Sequence, residues 1–160
     1  MEQACKALFL DRDGVVNIDK HYLYKIEEFE FVDGIFELCH KYQNAGYLIF
    51  IITNQSGIGK KMYTQNDFDI ITNWMVTEFK KEAITISEVF YCPHDPEESG
   101  PCDCRKPSPK MILDAATQYK IDLSDSVLIG DKISDIEAGK NSGIGTSILI
   151  KTNILTKALL

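Results

Sequence analysis

The sequence lacks several features that mark specialised classes of protein. It has no excess of basic residues: 17 Lys and Arg stand against 24 Asp and Glu, giving a formal net charge of −7, which argues against non-specific binding of nucleic acid or membranes. No apolar run approaches the length of a membrane span, and the first residues lack the basic start of a secretory signal. We therefore expect a cytoplasmic monomer. An anionic ligand would need a metal, backbone N–H groups or a few well-placed cations.

The sequence also lacks the even, spread-out cysteines of a disulfide framework. Three of its five cysteines fall within thirteen residues and the other two stand alone, which is more typical of a metal site. Cys92 with His94 and Cys102 with Cys104 form two pairs, each spaced by one residue, which could close a tetrahedral zinc site. Four protein ligands leave no open position, so this zinc would be structural. The alternative is three reduced cysteines and a loop histidine. We call residues 92–104 the zinc loop.

Apolar runs alternate with helical patterns along the chain. Strands are predicted at 7–10, 47–52, 88–92, 126–130 and 146–150, and helices at 34–45, 64–81, 108–119 and 132–141. Thr64 or Asn66 would cap the second helix, and Ser108 would cap the third, with Pro109 opening it. Residues 57–65 and 93–107 are predicted loops. This alternation predicts an α/β, three-layer Rossmann-like fold with a mostly parallel sheet, and the length predicts one domain, 1–160.

Polar residues follow three of the predicted strands. Asp11 and Asp13 follow the first, Thr53 and Asn54 follow the second, and Asp131 follows the fourth. In an open α/β sheet the ligand site lies beyond the carboxyl ends of the strands, so these residues should converge. Carboxylates grouped there suit Mg²⁺. Each Asp taken alone could instead be a helix cap or a solvated loop residue, but agreement at three strand ends makes that explanation weak.

Four segments resemble, in order, the four motifs of the haloacid dehalogenase (HAD) superfamily: Phe9-Leu-Asp-Arg-Asp-Gly-Val15, Ile52-Thr-Asn54, Lys106 and Gly130-Asp-Lys-Ile-Ser-Asp135. The resemblance implies a phosphatase in which Asp11 attacks phosphorus and Asp13 acts as acid and then base. It implies that Mg²⁺ is held by Asp11, the backbone carbonyl of Asp13 and Asp131. Thr53 and Lys106 would bind the phosphoryl oxygens. Asp135 would support the site or serve only the fold.

The zinc loop narrows the resemblance. Cys92-Pro-His94, Cys102-Asp-Cys-Arg-Lys-Pro107 and Thr53-Asn-Gln-Ser-Gly57 are similar to segments of the D,D-heptose 1,7-bisphosphate phosphatases, which remove the 7-phosphate in the assembly of nucleotide-activated heptose. Histidinol-phosphate phosphatases share the zinc loop and remain an alternative, as does a zinc-stapled binding module without catalysis. The resemblance implies substrate contacts from Asp11, Arg12, Asp13, Asp19, Lys20, His21, Tyr22, Thr53, Asn54, Gln55, Ser56, Arg105, Lys106 and Lys132.

The spacing of the motifs leaves no room for a separate cap domain. About forty residues separate Asp13 from Thr53 and about fifty separate Thr53 from Lys106, which is short for an independent domain. Loops 17–31, 57–65 and 93–104 should therefore shape the pocket, and a small phosphosugar with a second anionic group suits it. The stretch Gly59-Lys-Lys-Met62 departs from the Gly-Arg-Gly pattern usual in the heptose enzymes, which could alter contacts at the pocket rim.

Overall fold

Five apolar segments form one sheet in the computed structural model, which describes residues 4–160. The strands are β1 (Ala7–Leu10), β2 (Leu48–Asn54), β3 (Ile86–Cys92), β4 (Val127–Gly130) and β5 (Thr146–Leu149). Their order is β3-β2-β1-β4-β5, and every neighbouring pair is parallel. The prediction of a mostly parallel sheet is confirmed. Because β1 is central and has a strand on each side, the residues that follow it lie in the middle of the carboxyl edge.

Five α-helices connect the strands: α1 (Ile35–Asn44), α2 (Ser56–Gly59), α3 (Gln65–Lys81), α4 (Lys110–Tyr119) and α5 (Ile133–Ser142). Short 3₁₀ turns cover Ile26–Glu28 and Leu123–Asp125. The predicted Thr64 cap is confirmed, since its hydroxyl accepts a hydrogen bond from the Asp67 amide and the Asp67 carboxylate accepts one from the Thr64 amide.

Two local predictions were wrong. Residues 57–65 are not all loop, because α2 adds one helical turn before Thr64. The third predicted helix begins one residue later than expected, with Pro109 at the cap position. The hydroxyl of Ser108 accepts a hydrogen bond from the Lys110 amide at 3.3 Å and donates one to the Asp103 carbonyl at 2.6 Å. The second error is a shift of one residue at a helix end, where boundaries are hardest to place.

The sheet is covered on both faces because its strands are apolar on both. Leu8 and Leu10 of β1 point into one core with side chains of α1 and α3, while Ala7 and Phe9 point into the other with side chains of α4 and α5. The three predicted layers, helices on each side of the sheet, are confirmed.

The connections near the site are short. Between β1 and β2 the structure contains a loop, one 3₁₀ turn and α1, and between β2 and β3 it contains α2 and α3. Within residues 4–160 no separate cap domain is present, as predicted. In the same part of the chain, no helix has both the length and the hydropathy needed to cross a membrane.

Candidate active site

Asp11 lies immediately beyond β1, at the centre of the carboxyl edge. Its amide donates a hydrogen bond to the carbonyl of Ile129 in β4 at 3.2 Å, which extends the strand pairing by one residue. Its side chain is buried, with 6% of the residue exposed. The Lys106 ammonium lies 2.9 Å from Asp11 Oδ1. The carboxylate is therefore held by the sheet below it and by a cation from a distant loop beside it.

Lys106 is shared between two carboxylates. Its Nζ lies 2.9 Å from Asp11 Oδ1 and 2.6 Å from Asp135 Oδ1, and it donates to the carbonyl of Ile52 at 3.0 Å. Burial opposes the charged form of this lysine, but the two carboxylates outweigh it and raise the pKa of Lys106 to about 12. Lys106 is therefore a permanent positive charge at the strand ends.

Negative charge exceeds positive charge at this point. Carboxylate oxygens of Asp11, Asp131 and Asp135 lie within 4.8 Å of one another. With Lys106 as the neighbouring ammonium, two negative charges remain uncompensated, which is the charge of one Mg²⁺. Burial, helped by Asp135 and opposed by Lys106, raises the pKa of Asp11 to about 8. A divalent cation would reverse that shift and keep Asp11 ionised near neutral pH.

Asp131 has an oxygen that fits a metal. Its Oδ1 is buried without a hydrogen-bond partner, while Oδ2 accepts from the Thr152 hydroxyl at 2.8 Å. A β-carbon on Gly14 would collide with the same carboxylate, and Gly14 has a φ of +95°, so glycine is needed there for both reasons. A buried carboxylate oxygen without a donor is costly unless a cation faces it. The residues present therefore suit Mg²⁺.

Asp135 belongs to this group of carboxylates, but both of its carboxylate oxygens already have partners within the protein. Its Oδ2 accepts from the amides of Asp131 and Lys132 at 3.2 and 3.1 Å, and its Oδ1 faces Lys106. It caps α5 and fixes the start of the segment that carries Asp131. Of the three clustered carboxylates, Asp11 and Asp131 are thus the better magnesium ligands, and the backbone carbonyl of Asp13 remains a predicted third.

Asp13 is surrounded by donors. Its Oδ1 accepts from Arg12 Nη2 at 3.0 Å and Asn17 Nδ2 at 3.1 Å, and its Oδ2 accepts from Gln55 Nε2 at 3.1 Å. Burial works to raise the pKa of Asp13, but Arg12 and the hydrogen bonds from Asn17 and Gln55 lower it below the ordinary value. The surrounding donors therefore stabilise the side chain as a carboxylate.

A cavity of about 350 Å³ opens beside these carboxylates. Most of the predicted substrate contacts line it: Asp13, Asp19, His21, Tyr22, Asn54, Gln55, Ser56, Arg105, Lys106 and Lys132. Asp11 and Thr53 line a small adjoining recess. Two predicted contacts lie elsewhere. Arg12 is 1% exposed and faces Asp13 and the carbonyl of Leu23, and the ammonium of Lys20 bonds Glu30 and the carbonyl of Glu28.

Four residues near the site were not predicted from the sequence, and three of them lie outside any recognisable motif. Asn17 bonds Asp13, Thr152 bonds Asp131, and Tyr63 lines the cavity. Ser134 lines both the cavity and the recess. It lies within the fourth motif, so its position in that motif could have identified it.

Asn54 fixes the loop that carries the cations. Its Oδ1 accepts from the Lys106 amide at 3.0 Å and its Nδ2 donates to the Lys106 carbonyl at 3.3 Å. This reciprocal pair joins the end of β2 to the loop. Arg105, the residue before Lys106, also lines the cavity, and its Nη1 is buried without a hydrogen-bond partner. A free guanidinium nitrogen at that place suits an oxygen-rich ligand.

The predicted zinc ligands lie together. The sulfur atoms of Cys92, Cys102 and Cys104 and a ring nitrogen of His94 are all within 4.8 Å of one another. Cys92 Sγ is 3.7 Å from Cys102 Sγ, and His94 Nδ1 is 3.3 Å from Cys104 Sγ. Ligands about 2.0–2.3 Å from a tetrahedral zinc lie at about these separations. The donor set and its placement therefore fit a structural zinc.

One pair differs from the expectation that the clustered cysteines are reduced. Cys92 and Cys104 are joined as a disulfide in the structure, with Cα atoms 5.5 Å apart. Zinc bound by all four residues needs these two sulfurs reduced and about 3.7 Å apart, because both must be thiolates.

Comparison with known proteins agrees with this geometry. A HAD hydrolase-like family model matches residues 103–160. The chain is 51% identical over 145 residues to the D-glycero-α-D-manno-heptose-1,7-bisphosphate 7-phosphatase of Campylobacter jejuni, covering 91% of this chain and 82% of that protein. It is 39% identical over 157 residues to the corresponding β-anomer phosphatase of Yersinia pestis, covering 95% and 84%.

A solved structure gives the same fold. The D,D-heptose 1,7-bisphosphate phosphatase of B. bronchiseptica, complexed with magnesium and phosphate, superposes with a TM-score of 0.80 at 30% identity, covering 88% of this chain and 78% of that one. Sequence and fold agree over most of the chain. The protein therefore belongs to the family of HAD-like phosphatases that includes the D-glycero-manno-heptose-1,7-bisphosphate 7-phosphatases.

Proposed function

We propose that this protein hydrolyses the 7-phosphate of D-glycero-α-D-manno-heptose 1,7-bisphosphate. The observation that carries the proposal is the buried Asp11, which faces Lys106 and shares its site with Asp131, whose Oδ1 has no partner. This arrangement supplies a nucleophile, a cation for phosphoryl oxygens and a place for a divalent metal, which together are the parts that phosphoryl transfer needs.

The first step forms a covalent intermediate. An Asp11 carboxylate oxygen attacks phosphorus and makes an aspartyl-phosphate, while the bond from phosphorus to the sugar oxygen breaks. A bound Mg²⁺ would offset the repulsion between the carboxylate and the phosphate. Lys106 and the Thr53 hydroxyl bind the phosphoryl oxygens, where charge spreads in the transition state.

Asp13 handles the proton in both steps. In the first step its protonated form gives a proton to the departing sugar oxygen, which leaves Asp13 as a carboxylate. In the second step this carboxylate takes a proton from the water that attacks the aspartyl-phosphate, restoring Asp11. The donors around Asp13 stabilise the carboxylate, so they favour the first step, in which Asp13 gives up its proton.

The cavity supports a substrate with a second charged group. Its volume of about 350 Å³ exceeds the needs of inorganic phosphate, and Arg105 and Lys132 line its wall. The unpartnered Nη1 of Arg105 is placed to bind the 1-phosphate or a sugar hydroxyl. The α-anomer is favoured because the Campylobacter relative that acts on it is 51% identical to this chain, against 39% for the Yersinia relative that acts on the β-anomer.

The predictions about partners, compartment and domain number are consistent with this function. A diffusible phosphosugar requires no nucleic acid, no membrane and no second subunit, and the net charge of −7 agrees with a cytoplasmic monomer that does not bind polyanions. We also propose that residues 1–160 form a single domain.

The test is phosphate release by the purified protein with Mg²⁺ and Zn²⁺ present. We expect turnover of α-heptose 1,7-bisphosphate to exceed that of the β-anomer at least tenfold in kcat/KM, and to exceed that of histidinol phosphate by more. Faster turnover of histidinol phosphate would replace the proposed substrate. Asp11→Asn should abolish release, and an inactive wild-type protein would favour the zinc-stapled binding module.

A further inference from the structure

Tyr63 is buried beside the active site and is linked to Asp13 by hydrogen bonds through the side chain of Gln55. The residue is 5% exposed, and its hydroxyl donates a short hydrogen bond to the side-chain carbonyl of Gln55. The other end of that amide, Gln55 Nε2, donates to Asp13 Oδ2 at 3.1 Å and to Thr53 Oγ1 at 2.9 Å. We propose that Tyr63 is a positioning residue that holds the Gln55 amide with its nitrogen toward Asp13, an inference that rests on the proposed phosphatase activity.

The chemistry of the partners fixes the direction of this chain of hydrogen bonds. An ionised carboxylate only accepts, so the amide end that faces Asp13 must be the nitrogen, and the carbonyl must then find a donor elsewhere. Tyr63 supplies that donor. Gln55 is 3% exposed, so water has little access to replace the phenol.

The reverse orientation would harm the reaction. A carbonyl oxygen placed beside Asp13 would repel its carboxylate and would accept a hydrogen bond from its protonated form. The proton would then be directed to Gln55 rather than to the departing sugar oxygen. Holding the amide nitrogen in place keeps that competing acceptor away from Asp13 Oδ2, which has Gln55 as its donor, while Oδ1 is held by Arg12 and Asn17.

The packing around Tyr63 indicates a fixed ring. A β-carbon on Gly57 would collide with the Tyr63 ring and would also touch Tyr22, so glycine at that position allows the close approach. The other side of the ring stacks on Tyr24, with centroids 5.4 Å apart and planes 14° from parallel. Tyr63 lies one residue before the cap of α3, so the helix start also anchors it.

The test uses two substrates that differ in their need for a proton donor. A sugar phosphate has a poor leaving group and needs Asp13 as an acid. In contrast, p-nitrophenyl phosphate releases p-nitrophenolate, which is a stable anion and needs no proton. General acid catalysis typically contributes about 10²–10⁴-fold, so Tyr63→Phe should lower kcat/KM for heptose bisphosphate by about 10- to 100-fold. We expect kcat/KM for p-nitrophenyl phosphate to change less than about threefold, because this constant reports only formation of the aspartyl-phosphate, and the second step, in which Asp13 acts as a base with both substrates, does not enter it.

A double-mutant cycle tests the route through Gln55. If Tyr63 acts only by orienting that amide, adding Tyr63→Phe to Gln55→Leu should cause no further loss of kcat/KM for heptose bisphosphate. Tyr24→Phe is the matched control, since it removes a neighbouring hydroxyl and retains the stacked ring. Thermal melts of each variant identify any loss of folding, and the cycle in the Gln55→Leu background still decides the matter if Tyr63→Phe alone is unstable.

The outcomes separate this inference from the proposed function. Equal losses on both substrates, no loss on either, or additive effects in the cycle would overturn the role of Tyr63 while wild-type turnover of heptose bisphosphate persists. A wild-type protein that releases no phosphate from that sugar, yet hydrolyses p-nitrophenyl phosphate, would instead refute the proposed substrate.

Discussion

Replacing Lys106 by Met tests the charge balance at the strand ends. The Lys106 ammonium contacts Asp11 at 2.9 Å and Asp135 at 2.6 Å, and the residue is 4% exposed. Methionine keeps the length and apolar stem of lysine but removes the charge and its three hydrogen bonds. Two buried carboxylates and the carbonyl of Ile52 then lose their common donor.

Breaking a buried ion pair in this way costs about 3–5 kcal/mol, because the charge left behind has no compensation. For a chain of this size, each kcal/mol lowers the melting temperature by about 2–4 °C, so Lys106→Met without metal should melt about 6–20 °C below wild type. The loss of phosphoryl-oxygen binding should also lower kcat by about 10²–10³-fold, as for other single oxyanion donors.

The assay is a pair of thermal melts, with and without Mg²⁺, alongside phosphate release. Lys110→Met is the control, because Lys110 forms an exposed i,i+4 pair with Asp114 at 2.8 Å and its loss should hardly move the melting temperature. Added Mg²⁺ should raise the melting temperature of Lys106→Met more than that of wild type, since it supplies the missing charge. A Lys106→Met protein that melts with wild type would refute the charge balance described above.

Three further predictions concern the metals and one buried thiol. Thr152→Val removes the hydroxyl that orients Asp131 and should weaken Mg²⁺ binding about 10- to 100-fold by calorimetry; unchanged affinity would contradict the role of that bond. Stripping zinc with a chelator, with the loss verified by metal analysis, should lower kcat by disordering Arg105 and Lys106, and an unchanged rate would exclude this coupling. Burial raises the pKa of Cys39 to about 12, so the unfolded chain releases this proton first as pH rises above 9. The free energy of unfolding should therefore fall between pH 9 and 12 by up to about 1.4 kcal/mol per pH unit from this group, and denaturant titrations of Cys39→Ala should show a shallower slope.

The sequence predicted those parts of the site that follow directly from strand ends. Asp11 and Asp131 could be found because each comes immediately after an apolar run, and the parallel sheet brings such positions together. Lys106 was identified from its motif and from its place after the zinc loop. The sheet and most of its helices were predicted for a similar reason, since their apolar periodicity is local and strong.

The parts that sequence reasoning missed depend on contacts between distant segments. Thr152 reaches Asp131 from beyond β5, and Tyr63 reaches Gln55 across α2, and neither contact leaves a pattern in neighbouring residues. The turn α2 was taken for loop because it holds two glycines in four residues. Arg12 was expected in the pocket from the family resemblance, yet its guanidinium bonds Asp13 and the carbonyl of Leu23.

The bonds between Asn54 and the backbone of Lys106 have a consequence for how this enzyme family can be altered. Because Asn54 at the end of β2 itself holds the backbone of Lys106, the residue that we propose binds phosphate, this lysine is aligned by the sheet as well as by the zinc loop. As long as the zinc ligands are kept, the other residues of 93–104 can therefore vary in number and chemistry without moving that lysine. A chimaera carrying another relative's loop should exchange its preference for the sugar and keep its ability to cleave phosphate esters.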